Sequence, residues 1–84
     1  KTANQCTLDK MSLNRKNPVQ NIFNQVTNRK VKELDLSYCD LRRVIVPETL
    51  PASLKALNIR QAKNIPPELI FRIISFEMSL QSFI

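Results

Sequence analysis

The 84-residue chain has no glycine, no histidine and no tryptophan, and it has 2 cysteines. Without histidine it lacks the commonest general base and the commonest imidazole ligand for zinc or haem. Without glycine it has neither of the glycine-rich loops that cradle phosphates, the P-loop and the dinucleotide-binding turn. Two cysteines are too few for a four-cysteine zinc site or a disulfide scaffold. No apolar run approaches the roughly 20 residues of a membrane-spanning helix. The opening residues Lys1-Thr2-Ala3-Asn4-Gln5 are polar and do not read as a secretory leader. These absences speak against an enzyme, and no cofactor, metal ion or small-molecule substrate is expected.

What is present describes one globular domain. The apolar fraction is 43% and the charged fraction 24%, and a chain of this length has room for a single core. With 13 Lys+Arg against 7 Asp+Glu the net charge is +6. The excess is uneven. Residues 1–30 carry six positive charges and one negative, a balance of +5; residues 31–53 come to −1 and residues 54–84 to +2. A basic first third attracts acidic surfaces, nucleic acid or anionic membranes, and it also serves plain solubility.

A period of 23 residues runs through the chain. The centre reads Val31-Lys32-Glu33-Leu34-Asp35-Leu36-Ser37-Tyr38-Cys39-Asp40-Leu41. Stepping back by 23 places Leu8, Met11 and Leu13 in the slots of Val31, Leu34 and Leu36. Stepping forward by 23 places Leu54, Leu57 and Ile59 there, and a further step of 26 reaches Leu80 and Phe83. Alternating apolar residues at this spacing predict short strands near 10–14, 33–37 and 56–60, parallel and adjacent, with a fourth near 80–84. In the middle strand Leu36 is expected to face the core and Ser37 the solvent.

The intervals are long enough for the crossovers that parallel strands require. After Asn17-Pro18, the residues Val19, Ile22, Phe23 and Val26 form one helical stripe, so a helix is expected over 18–26 with Asn17 as N-cap and Gln20 and Gln25 in solvent. Pro66-Pro67-Glu68 opens a second helix, in which Leu69, Ile70, Phe71, Ile73, Ile74 and Phe76 wrap most of the surface as in a buried element. Pro47 and Pro51 forbid a regular helix between them.

The central segment fits L-x-x-L-x-L-x-x-(N/C)-x-L with Val31 in the first position, and the chain resembles a leucine-rich repeat protein. The resemblance implies an α/β fold, a short leucine-rich-repeat solenoid with parallel strands on the concave face and helices and turns on the convex face. Residues 1–84 form a single domain or fragment, with repeats 8–30, 31–53 and 54–79 and a partial one at 80–84. The ninth slot, Asn or Cys in the motif, holds Lys16 and Ala62 in the outer repeats, which leaves their turn geometry open. One repeat, Leu50-Pro51-Ala52-Ser53-Leu54-Lys55-Ala56-Leu57-Asn58-Ile59, is similar to the repeats of secreted bacterial effectors. The run Ile65–Ile74 is similar to the first helix of an F-box, but it reads better as a core helix of the third repeat.

Cys39 sits past the end of its strand and Cys6 before the start of its own. Equal slots lie side by side in adjacent parallel strands, so the two thiols stand on the order of 20 Å apart, beyond the roughly 7 Å that a disulfide tolerates. Both are expected as free thiols, with Cys39 bonding to turn backbone. No Asn begins a glycosylation sequon. Free thiols without a sequon lean toward an intracellular site, with a secreted effector as the alternative.

Glu33 and Asp35 share one strand face. Their neighbours in the adjoining repeats are Lys10, Ser12, Asn58 and Arg60, the companions of ion pairs and not of an acid–base site. The outward row reads Lys10, Ser12, Asn14 and Arg15, then Glu33, Asp35, Ser37 and Tyr38, then Ala56, Asn58, Arg60 and Gln61. From it we expect a protein-binding surface made of Lys10, Asn14, Arg15, Glu33, Asp35, Tyr38, Asn58, Arg60 and Gln61, with Tyr38 and Arg60 as anchors. The alternative partner is an anion, nucleic acid or a membrane headgroup, held by Lys1, Lys10, Arg15, Lys16, Arg29 and Lys30. A third reading is a purely structural section of a longer repeat protein.

Overall fold

The computed structural model describes residues 9–76, 78 and 80–84. Its elements are β1 (Lys10–Ser12), α1 (Ile22–Asn28), β2 (Glu33–Asp35), β3 (Ala56–Asn58), α2 (Pro67–Phe76) and β4 (Ser82–Phe83). The strands form one open four-stranded sheet in the order β1-β2-β3-β4, and every pair is parallel. The register follows the sequence period: Met11 pairs with Leu34, Leu34 with Leu57, and Leu57 with Phe83.

The strands are only two or three residues long, but the hydrogen bonding that joins the units extends beyond them. At the start of each crossing, one carbonyl accepts two successive N–H groups: Asp9 from Lys32 and Glu33, Lys32 from Lys55 and Ala56, Lys55 from Gln81 and Ser82. At the far end, Leu13 and Arg15 donate to the carbonyls of Asp35 and Ser37, and Leu36 and Tyr38 donate to those of Asn58 and Arg60. Each unit then closes the same turn, with Lys16 N–H on Leu13 O, Cys39 N–H on Leu36 O and Ala62 N–H on Ile59 O. The turn depends on backbone bonds, so Lys16 and Ala62 form it as well as Cys39 does.

A single core lies on the inner face of the sheet. Leu34 and Leu57 meet Ile22, Phe23 and Val26 of α1, and Leu69 and Ile73 of α2, with Val31, Leu36, Leu41, Leu50 and Leu54 filling the crossovers. The chain between Leu41 and Leu54 carries no helix, as Pro47 and Pro51 dictate. It is tied down by Arg72 Nε donating to Pro47 O at 2.9 Å and by Ile45 N–H donating to Gln20 O at 2.9 Å.

Three expectations need correction. The first helix starts at Ile22, not at residue 18, and Asn17 does not cap it. Pro18 is buried, and the chain turns once more, with Ile22 N–H on Val19 O, before the helix begins. The stripe therefore loses Val19, which is exposed, and keeps Ile22, Phe23 and Val26. Gln20 is exposed, but Gln25 is half-buried and donates to Asn21 Oδ1. Second, α2 is not buried all round. Leu69 and Ile73 face the core, one turn apart, while Ile70, Phe71 and Ile74 are exposed. Third, Ser37 is buried at 3% exposure. It lies past the last residue of β2, where the chain turns and strand alternation stops governing direction.

Candidate functional site

The outward residues of the strands line a shallow trough of about 280 Å³ that crosses the whole sheet. Lys10 and Ser12 come from β1, Glu33 and Asp35 from β2, Ala56 and Asn58 from β3, and Ser82 from β4. The register makes Ser12, Asp35 and Asn58 consecutive rungs. Lys10 and Glu33, also on consecutive rungs, form an exposed ion pair at 3.9 Å. In water such a pair holds its geometry weakly and contributes about 0–1 kcal/mol, so both groups stay available to a partner.

Asp35 and Asn58 have a second task. Asp35 Oδ1 accepts the Ser37 N–H at 2.9 Å, and Asn58 Oδ1 accepts the Arg60 N–H at 2.9 Å. Each side chain folds the backbone two residues ahead, the usual local chemistry of Asp and Asn in turns. Asp40 repeats it with the Arg42 N–H at 2.9 Å. This local bond turns the chain the same way at the ends of β2 and β3, and Asp35 and Asn58, 23 residues apart, were the sequence signal for it.

The turn brings the backbone into left-handed geometry at one recurrent position. Arg15, Tyr38 and Gln61, spaced by 23, have φ of 64°, 62° and 57°. A side chain in this region costs roughly 1–2 kcal/mol that glycine would not incur. Arg15 and Tyr38 use the geometry to meet: the guanidinium lies over the ring, 4.9 Å from its centre, a cation–π contact. Asn14 donates from Nδ2 to the buried Ser37 Oγ at 2.6 Å, which locks this turn to the next.

Of the predicted residues, Lys10, Glu33, Asp35 and Asn58 therefore line the trough, while Arg15, Tyr38, Arg60 and Gln61 stand at its rim beyond the strand ends. Asn14 lies between the two groups. Ser37, placed in the outward row, is withdrawn into the core. The alternative basic group does not come together. Arg15 and Lys16 follow β1, whereas Arg29 and Lys30 follow α1 and lead into the start of β2, at the other end of the strands. Lys1 lies outside the described residues.

A second set of basic residues has no pattern in the sequence to mark it. Arg42 and Arg43 follow the turn after β2 and line a depression of about 550 Å³ with Asn17, Pro18, Val19, Gln20 and Asp40. Lys63 follows the turn after β3, bonds through its N–H to Cys39 O and pairs in register with Asp40. The hydrogen bond from Arg42 N–H holds the Asp40 carboxyl below its usual value of 3.8, with help from Asn64 Nδ2 and from the charges of Arg42 and Lys63. Their place was hidden because they are far from Arg15 and Lys16 in sequence and become neighbours only through the stacking of turns.

Cys39 is fully buried and free. Its thiol donates to Leu13 O at 2.7 Å, across to the preceding unit, as expected of a turn residue. Cys6 lies outside the described residues. Among the described residues no group of three His, Cys, Asp or Glu side chains stands close enough to hold a metal ion, and no helix is long and apolar enough to cross a membrane. In comparisons with protein-family models, curated proteins and solved structures, nothing matches this chain.

Proposed function

We propose that the chain is a non-catalytic protein-interaction module of leucine-rich-repeat type, a short solenoid that takes its partner on the outward face of the sheet. The observation that carries this reading is the trough, to which all four strands contribute side chains that the core does not need. A parallel sheet covered on one face and open on the other is unusual, because parallel strands in closed folds have both faces covered. In a repeat solenoid the open face is the binding surface. Tyr38, at 41% exposure, and Arg60 are the residue types that most often anchor interfaces.

The test is a peptide-display selection against the full chain, followed by affinity measurements on alanine variants. Tyr38→Ala and Arg60→Ala should each weaken selected binders by about thirtyfold if they are anchors, from roughly 2 kcal/mol per anchor. Asn24→Ala and Asn28→Ala, exposed on α1, should change affinity less than about twofold. Binders that depend on Asn24 or Asn28 and ignore Tyr38 and Arg60 overturn the assignment of the face.

A further inference from the structure

We propose that the rim of the sheet formed by the turns after β1, β2 and β3 docks an extended acidic segment of the partner protein; this rests on the interaction reading above and names the partner's chemistry. Six cations gather there from three turns: Arg15 and Lys16, Arg42 and Arg43, Arg60 and Lys63, all exposed. Two acids border them. Asp40 is taken by Arg42 at 3.3 Å, and Asp35 accepts the Ser37 N–H at the base of the Tyr38 turn, which leaves the cluster at about four net positive charges. The opposite end of the strands is less one-sided. It carries Lys10, Arg29, Lys30, Lys32 and Lys55, but two acids stand among them, Glu33 beside Lys10 and Asp9 beside Lys32.

Two features favour carboxylates over nucleic acid. The guanidinium of Arg15 is already seated on Tyr38, so its planar fork of N–H donors is held in place with its edge open, the geometry that suits a bidentate carboxylate. The same contact covers one face of Tyr38, the rim's single aromatic residue, so successive bases have no run of rings on which to stack. Neighbouring turns follow the strand spacing of about 4.8 Å, so Arg15 and Arg60 stand roughly 10 Å apart, about three residues of extended chain.

The experiment is fluorescence anisotropy on the full chain, with a short labelled peptide of alternating Glu and Ser as the probe. An oligothymidylate of equal charge and vesicles with anionic lipid are measured beside it, at low and at physiological salt. The peptide should bind, and the double variant Arg15→Asn/Arg60→Gln should weaken it about tenfold or more. Asn is chosen because it tolerates left-handed geometry. The control Arg29→Gln/Lys30→Asn removes the same charge from the other end and should change affinity less than about threefold, the share of a long-range field. If the first double variant is not folded by circular dichroism, Arg60→Gln/Lys63→Gln replaces it. No binding of the peptide at low salt, equal losses in both double variants, or tighter binding of the oligonucleotide or vesicles overturns the proposal. Should display selection yield neutral peptides that still depend on Tyr38 and Arg60, the acidic-partner inference fails while the interaction reading stands.

Discussion

Leu36 is the residue whose truncation tests the stacking of repeats most sharply. Leu13, Leu36 and Ile59 occupy the same slot in successive units, 23 residues apart. Leu36 is fully buried, whereas Leu13 and Ile59 are only partly so. Among the described residues Leu36 has a unit on either side, Leu13 has one, and Ile59 has beyond it only the two-residue strand β4. Replacing a fully buried Leu by Ala costs about 2–5 kcal/mol, the transfer term plus the cavity that the surroundings cannot fill. A domain of this length has about 4–13 kcal/mol to lose. A loss near the middle of the range, about 3 kcal/mol, lowers the melting temperature by roughly 12–24 °C. It lowers the urea midpoint by about 2 M, with the slope of the transition unchanged. At the half-buried positions less area leaves water, and Leu13→Ala and Ile59→Ala should cost about 1–2 kcal/mol each. Urea titrations followed by circular dichroism measure all three. Equal losses at the three slots, or a loss below about 1 kcal/mol at Leu36, would show that the units do not stack in this register.

Three further outcomes follow from the same geometry. Ser37→Ala should cost about 0.5–1.5 kcal/mol by urea denaturation, because the hydroxyl is buried and accepts from Asn14; an unchanged midpoint would return Ser37 to the surface. In a Cys6→Ser background, the Cys39 thiol should react with an aromatic disulfide reagent only as fast as the protein opens, so the rate should rise steeply with denaturant; rapid reaction in native buffer would contradict its burial. The Asp40 carboxyl should titrate below 3.8 by NMR. Its folded value lies under the unfolded one, so it supports the fold fully above the unfolded value, and that support is lost as pH falls through the folded value. Asp40→Asn should remove this part of the acid dependence, and a normal titration would mean that the Arg42 turn does not form.

The sheet was legible because side-chain alternation and a fixed period act together. Met11, Leu34 and Leu57 recur every 23 residues and Phe83 follows 26 later, so the same slots pair in register, and a shift by one residue would turn the core leucines outward. The start of the second helix was legible in Pro66-Pro67-Glu68. The first helix starts later than its stripe because a helical stripe specifies spacing and not onset; Val19 fits the stripe, but a turn consumes it before the helix begins. The buried face of α2 is narrower than its apolar surface because hydrophobicity around a helix does not say how many neighbours it meets. At the candidate site the strand residues were readable, since Glu33, Asp35 and Asn58 alternate with core leucines. Beyond the strand ends alternation fails. There the direction of Ser37 and the left-handed geometry of Arg15, Tyr38 and Gln61 follow from turns closed by local bonds and joined across units by Asn14 on Ser37 Oγ and Lys63 N–H on Cys39 O. The bonds across units have partners more than 20 residues apart, so no single segment of sequence contains both.

The central claim is that the open face of the sheet, and not the helix side, receives another protein. An NMR titration of isotope-labelled chain with a display-selected peptide tests it residue by residue. The account predicts amide shifts that concentrate at Ser12, Asp35, Tyr38, Asn58 and Arg60 and fade across α1 and α2. Shifts that concentrate on α1 or α2, with Tyr38 and Asn58 unmoved, would contradict it.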